Sequence, residues 1–525
     1  MTEPIWIGGA WLAARPPADT FRAIDPSSGE PIGPAFPRSS PEDVEAAVAA
    51  GAAVAPALAD GDPERIAGFL DDYAARIAGD AAALAATAHR ETGLPIEPRL
   101  LRVEIPRTTD QLRQAARAIR AASFVQPTID TRAGIRSCHA ALRKPVVVFG
   151  PNNFPFAFNA VAGGDFAAAL AAGNPVIAKA HPSHPMTSQA LARHAAAGLD
   201  AAGLPAGTVQ LLYDLPRELG LALVADPRLG AVAFTGSRAG GLALKAAADR
   251  ASIPIYLEMS SINPTFLLPG ALDERADGIA EELVSSCTLG AGQFCTNPGL
   301  VVVAERASAR RFLAEATTRF SAARPALLLG PGVRDNLEDS LAALVRGGAR
   351  VVAGGARGDG PGCWFQPTLL VAEGAQLLAE PALQREAFGP ATLVVVAADP
   401  QQLVAIAGAL DGNLTASLYS ARDGSDEALY ASVARVVRGR VGRLMDDKMP
   451  TGVAVSPAMV HGGPFPATGH PGFTAVGLPA AIQRFTALHA YDHVADGHLP
   501  AALRDRNPTR IWRSIDGSWT TEDVS

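Results

Sequence analysis

The sequence predicts an α/β fold built around a doubly wound parallel sheet, followed by a second α/β unit. Three observations carry this. From residue 145 onward short apolar runs alternate with helical segments. Strands are expected over 146–149, 175–179, 209–212, 231–235 and 255–258, with helices over 159–172, 187–197, 217–224 and 238–248 between them. Parallel neighbours need crossovers of that kind. The chain has 525 residues and is 48% hydrophobic, enough apolar material for about three cores of about 150 residues each. Only 18% of it is charged, and Ala and Gly are abundant, which suits close packing rather than disorder.

The remaining elements follow in order. Residues 1–35 form a β-rich entry segment, with Trp6, Ile7, Trp11, Phe21 and Ile24 around turn signals at Gly8-Gly9 and Pro26-Ser27. Pro41-Glu42-Asp43 opens Ala-rich helices that run to about Ala88. A further helical stretch covers 98–122 and is kinked or restarted at Pro106. Residues 123–142 read as a protruding hairpin. The second α/β unit begins after Met259, with a helix over 277–289, a strand over 300–304, a helix from Arg310, and strands near 349–352 and 392–396. Beyond Met445 the chain is rich in Gly, Pro and His and is expected to be mostly irregular.

Composition excludes several classes. The net charge of -7 is mild and gives no basic face for nucleic acid. The four cysteines, Cys138, Cys287, Cys295 and Cys363, form no C-x-x-C pair, so neither a zinc knuckle nor a disulfide framework is expected. The first residues lack the basic and apolar regions of a signal peptide, which makes the cytoplasm the expected location. Residues 145–178 carry no Lys or Arg and one acid, Asp165. Pro151, Pro155, Gly163, Gly164 and Pro175 interrupt them, so no membrane span is expected. His181 and His184 are flanked by prolines, with no carboxylate or cysteine beside them, and no metal site is expected.

The stretch Gly290-Ala-Gly-Gln-Phe-Cys295-Thr-Asn-Pro-Gly299 places a thiol beside glycines, where a small substrate can approach the backbone. A free cysteine alone is more often a small buried hydrophobe. Three strand-end residues could assist it, since ligands of doubly wound sheets bind beyond the strand carboxyl ends. Asn153 could donate to an oxyanion, Glu258 could activate water, and Lys179 could anchor a cofactor. Each also has an ordinary reading, as a turn cap, an ion-pair partner and a solvated lysine. Cys287 reads as core. No G-x-G-x-x-G follows the first strand. A glycine-rich turn at Phe234-Thr-Gly236-Ser237-Arg-Ala-Gly-Gly could still set helix N–H groups against a pyrophosphate.

Six segments, in order, resemble the aldehyde dehydrogenase superfamily: Pro151-Asn-Asn-Phe-Pro155, residues 175–179, Phe234-Thr-Gly-Ser237, Leu257-Glu-Met259, Gly292-Gln-Phe-Cys295 and Glu386-Ala-Phe-Gly-Pro390. Lys179-Ala-His-Pro-Ser-His-Pro185, Cys295-Thr-Asn-Pro-Gly299 and the tail from Ala502 to Arg513 are similar to one branch, that of α-ketoglutarate semialdehyde and NADP-linked fatty-aldehyde dehydrogenases. The resemblance implies a Rossmann-type parallel-sheet cofactor domain over 1–122 and 143–259 and an α/β catalytic domain over 260–455. It also implies a small β oligomerisation segment over 123–142 and 482–497, with irregular segments at 456–481 and 498–525. A homodimer or homotetramer is expected, with no nucleic-acid or membrane partner.

For the chemistry, the resemblance implies oxidation of an aldehyde to a carboxylate. Cys295 is the nucleophile, Asn153 the oxyanion donor and Glu258 the activator of the hydrolytic water. NAD or NADP would be held by Lys179, Gly236, Ser237, Glu386 and Phe388. Pro182 stands where many NAD-preferring relatives carry a glutamate, so NADP is expected to be accepted. Arg107 is placed on the substrate tunnel, where it could bind a remote carboxylate, with Phe156 and Phe158 as the apolar wall. α-Ketoglutarate semialdehyde is the expected substrate and a long-chain fatty aldehyde the alternative. An inactive scaffold on the same fold is the alternative of another class.

Overall fold

The computed structural model describes residues 2–15 and 19–524; of the entry and tail segments, Met1, residues 16–18 and Ser525 lie outside it. The five expected strands form one parallel array in the order Ile255–Glu258, Ala231–Thr235, Val146–Phe149, Val176–Lys179, Val209–Leu212. The entry strands Ile5–Ile7 and Ala10–Leu12 close one edge antiparallel. Val146–Phe149 and Val209–Leu212 are buried along their whole length, because helices cover both sheet faces and leave no polar side to alternate with. Strand order reverses between Val146–Phe149 and Ala231–Thr235. The carboxyl ends there diverge and leave a crevice.

Two helices differ from expectation for identifiable reasons. The helix expected over 159–172 begins only at Gly164. Asn159 holds the chain in turns before it: its Nδ2 donates to Pro155 O and Ser188 Oγ, and its Oδ1 accepts from Val161 N. A side chain bonding its own backbone competes with helix. The stretch over 98–122 is two helices. A π-helical segment, Ile96–Glu104, leads into the α-helix Ile105–Arg120. Pro106 falls in the first turn of the second helix, where its missing N–H leaves no bond unmade.

A second seven-stranded sheet runs Arg350–Ala353, Thr368–Glu373, Ala391–Ala397, Leu300–Ala304, Thr265–Leu267, Asn413–Tyr419, Val441–Asp446. Along Leu300–Ala304 alternate residues serve different cores. Leu300, Val302 and Ala304 join one cluster, and Val301 and Val303 the other, as the period of two requires.

A third sheet pairs the hairpin Thr128–Asp130 and Ile135–Ala141 with Thr486–Asp492. Here the tail departs from expectation. Residues after 498 are not wholly irregular, since Arg513–Ile515 and Ser518–Thr520 extend this sheet. Arg513 explains the order: fully buried, it donates to the carbonyls of Arg504, Asp505 and Glu522. Residues 456–479 do lack regular structure, yet His461, Thr468 and Phe473 within them are buried. Among the described residues no single helix is long and apolar enough to cross a membrane. Pro41–Ala59 and Pro63–Gly79 meet that test only together, bent by 117°.

Candidate active site

Cys295 is the one partly exposed cysteine; Cys138, Cys287 and Cys363 are buried. It follows two left-handed residues, Gly290 and Ala291, and Gly292 with φ +65°. A Cβ on Gly292 would lie 2.1 Å from Gly389 O, so only glycine lets this loop press against the loop of Glu386 and Phe388. Side-chain amides hold the loop in place. Asn263 Nδ2 donates to Cys295 O at 2.8 Å and to Asn297 O at 2.9 Å. Gln293 Oε1 accepts from Leu329 N, and Asn297 Nδ2 donates to Ala391 O. Among the described residues nothing accepts the Cys295 N–H.

Asn153 and Glu258 both lie beside this loop. Asn153 Nδ2 donates to Gln293 O at 2.9 Å, which sets the carboxamide beside the thiol loop. Glu258 ends the strand Ile255–Glu258. Its Oε1 lies 2.9 Å from Nε2 of His461, and the same Nε2 lies 3.3 Å from Cys295 Sγ. Glu258 and His461 side chains are each 1% exposed, and Glu258 Oε2 is buried without a partner. Ligand-type atoms of Glu258, Cys295 and His461 all lie within 4.8 Å of one another. Burial pushes the Cys295 thiol well above its usual pKa, the Glu258 carboxylate adds to this, and the Arg107 cation opposes it. The resting group is therefore a thiol beside a base rather than a free thiolate.

Arg107 lies on the α-helix Ile105–Arg120 with its guanidinium 5.5 Å from the Phe154 ring and 5.1 Å from the Phe158 ring. Its Nε and Nη2 are buried without partners. Burial lowers its pKa, offset in part by the nearby Glu104 carboxylate. Phe154, Phe158, Phe294 and Phe473 form one apolar cluster beside it.

A cavity of about 380 Å³ opens at the crevice in the first sheet. Phe149, Lys179, Leu215, Pro216, Arg217 and Leu244 are among the residues that line it. Lys179 Nζ lies 4.0 Å from Asp214 Oδ1, and burial lowers its pKa. Beside the cavity Ser237 caps the helix Arg238–Arg250, its Oγ accepting from Gly240 N. Gly236 has no room for a Cβ against the Phe234 ring. An apolar slot for a base, a lysine for a ribose or phosphate, and a helix N-terminus for a pyrophosphate fit a dinucleotide. Glu386, beyond the helix end, accepts from Ser261 N at 3.4 Å. Burial raises its pKa to about 7, against the lowering effect of Ser260 and Ser261.

Residues 11–445 match the sequence profile of the aldehyde dehydrogenase family. Over nearly its whole length the chain is also 41% identical to α-ketoglutaric semialdehyde dehydrogenase 2 of Azospirillum brasilense, covering 98% of this chain and 99% of that one. This chain belongs to the aldehyde dehydrogenase family. It is an NAD(P)-dependent oxidoreductase of aldehydes. A second relative, α-ketoglutaric semialdehyde dehydrogenase of Acinetobacter baylyi, is 34% identical over 98% of each chain. Among solved structures, aldehyde dehydrogenase C of Pseudomonas syringae, crystallised with NAD+ and octanal, shares the fold. Its TM-score is 0.79 at 21% identity, covering 95% of this chain and 98% of that one.

In this aldehyde dehydrogenase two site residues differ from the sequence reading. Phe156 does not line the apolar wall. It is fully buried in the core of the first sheet, because its N–H is drawn to Glu104 Oε1 and the loop turns its ring inward. Phe154 takes the wall position instead. His461 was not among the expected site residues. It lies in a segment with no periodicity to read, and a single histidine among glycines and prolines carries no signal without the fold. Phe388 is partly exposed in the loop that Gly292 packs against.

Proposed function

We propose that this enzyme oxidises α-ketoglutarate semialdehyde (2,5-dioxovalerate) to 2-oxoglutarate. One observation carries the substrate class: Arg107, a buried guanidinium with two unpartnered nitrogens against the wall of Phe154 and Phe158. Leaving such a cation unpaired is unfavourable, and a carboxylate from the substrate supplies the partner. The names of the two relatives support the same substrate.

In this reading Cys295 Sγ attacks the aldehyde carbon as its proton passes to His461 Nε2. Glu258 Oε1 faces the same Nε2 at 2.9 Å and accepts the N–H so formed, so that nucleophile, base and carboxylate meet at one nitrogen. Asn153 Nδ2 and the Cys295 N–H hold the oxygen of the thiohemiacetal. Lys179, Gly236, Ser237 and Glu386 hold the dinucleotide, which accepts a hydride when bound. The thioester left on Cys295 is opened by water, activated by the free Oε2 of Glu258. Pro182 presents no carboxylate to repel a 2′-phosphate, so NADP is accepted.

The enzyme is proposed to act in the reducing cytoplasm, where its four cysteines stay thiols. Its homo-oligomer is proposed to form through the third sheet, whose edge strand Thr486–Asp492 exposes Leu488.

The test is a steady-state comparison of α-ketoglutarate semialdehyde, succinic semialdehyde and hexanal with NADP and NAD. Arg107→Ala is expected to raise KM for the two charged aldehydes about 10- to 100-fold, the strength of a charge-assisted hydrogen bond, and to leave hexanal nearly unchanged. An equal effect on all three overturns the carboxylate reading. A wild-type preference for hexanal returns the fatty-aldehyde alternative, which the aromatic wall also suits.

A further inference from the structure

We propose that Arg99 is a positioning residue that locks the oxyanion arm to the nucleophile arm, and that the π-helical segment Ile96–Glu104 exists to aim it. The inference rests on the assignment of Asn153 as oxyanion donor.

Arg99 is 9% exposed and Glu104 fully buried. In a π-helix residues five apart share a face, and Arg99 and Glu104 are five apart. They form an ion pair through Arg99 Nη1 and Glu104 Oε2. Glu104 uses its other oxygen to take the N–H groups of Phe156 at 2.8 Å and Ala157 at 3.1 Å. It therefore holds the chain just past Asn153 and the guanidinium of Arg99 together.

Arg99 then reaches both arms. Its Nη2 donates to the backbone carbonyl of Asn153 at 3.0 Å. Its guanidinium lies 4.5 Å from the Phe154 ring and 5.3 Å from the Phe294 ring. Phe154 follows the oxyanion donor and Phe294 precedes the nucleophile, and the two rings meet edge to face at 5.5 Å. One cation thus bonds the donor's own peptide and packs against the residue before Cys295. Among the described residues its hydrogen bonds go to Glu104 and Asn153 and none goes to the thiol or His461. Its effect is confined to where the Asn153 amide stands relative to Sγ.

Three readouts on the full-length enzyme test this. Arg99→Met is expected to lower kcat roughly 30- to 100-fold, the scale of a misplacement of about 1 Å, with little change in the KM for NADP. Alkylation of Cys295 by iodoacetamide, which builds no oxyanion, is expected to stay within about twofold of wild type. In an Asn153→Ala background, itself expected to lower kcat about 10²- to 10³-fold, the further loss from Arg99→Met is expected to shrink below about threefold. Arg99→Lys and Glu104→Gln serve as milder variants if Arg99→Met is poorly folded, and each is expected to show the same split. Parallel losses in turnover and alkylation, or full additivity with Asn153→Ala, overturn the proposal. If Asn153→Ala keeps wild-type turnover, the oxyanion assignment is what fails, and the role of Arg99 falls with it.

Discussion

The two arms that meet at the thiol are built in opposite ways. The arm of Cys295 is a short loop tied down by side-chain amides and by a glycine with no room for a Cβ. The arm of His461 is a long irregular run with few ties to regular elements. His461 N donates to Thr474 Oγ1, and its carbonyl accepts from Ala475 N. Yet the irregular arm supplies the more deeply buried side chain. Regular structure is thus no guide to which part of a site is held firmly: local hydrogen bonding and packing against Phe158 do that work for His461.

The largest test of the contrast is removal of the thiol proposed as nucleophile. Cys295→Ala is expected to lower turnover by about 10⁴-fold or more, as loss of a covalent nucleophile does, with no burst of reduced cofactor. On the other arm, His461→Asn is expected to lower kcat about 10²- to 10⁴-fold and, unlike any Arg99 variant, to slow iodoacetamide alkylation of Cys295. Unchanged alkylation would reduce His461 to a packing residue and the contrast to one of appearance.

A metal probes both arms together. Sulfur, imidazole nitrogen and carboxylate oxygen within 4.8 Å are a donor set that Zn²⁺ accepts. Added Zn²⁺ is expected to inhibit reversibly. At a free concentration ten times its dissociation constant about a tenth of the activity should remain, EDTA should restore the rest, and His461→Asn should weaken the effect. Inhibition unaltered in that variant would place the metal elsewhere.

The smallest effect expected is on the cofactor side. Burial favours the uncharged form of Glu386, so the carboxyl keeps its proton up to about pH 7 and loses it above. If it holds ribose hydroxyls as a carboxylate, the KM for NADP should fall a few-fold, about 0.5–1.5 kcal/mol of hydrogen bonding, as pH rises through that value. Glu386→Gln should flatten the profile, and a flat wild-type profile would leave Glu386 without that role.

Much of this was legible in the residues. The parallel strands of the first sheet stand where apolar runs marked them, and Asn153, Lys179 and Glu258 stand at or just past strand ends, as doubly wound folds require. What could not be read depended on contacts far apart in sequence. Phe156 and Phe158 look equivalent on the page, and only the pull of Glu104 on the intervening backbone sorts one inward. The tail beyond 498 shows no strong strand pattern. Its short strands are fixed by Arg513 taking three carbonyls at once, a tertiary bond with no local signature. The chemistry of His461 comes from two residues that are 166 and 203 positions away.

The spacing of Arg99 and Glu104 has a consequence for how this sequence can change over time. An α-helix turns about 100° per residue. At that pitch five residues would set Arg99 and Glu104 about 140° apart, so their shared face depends on the wider turn of this segment. Substitutions on the exposed side of Ile96–Glu104 leave that geometry alone. Tolerance in this stretch is therefore set by length and pitch staying matched rather than by composition. A relative with a one-residue gap there could keep the same ion pair at i and i+4 of an ordinary α-helix.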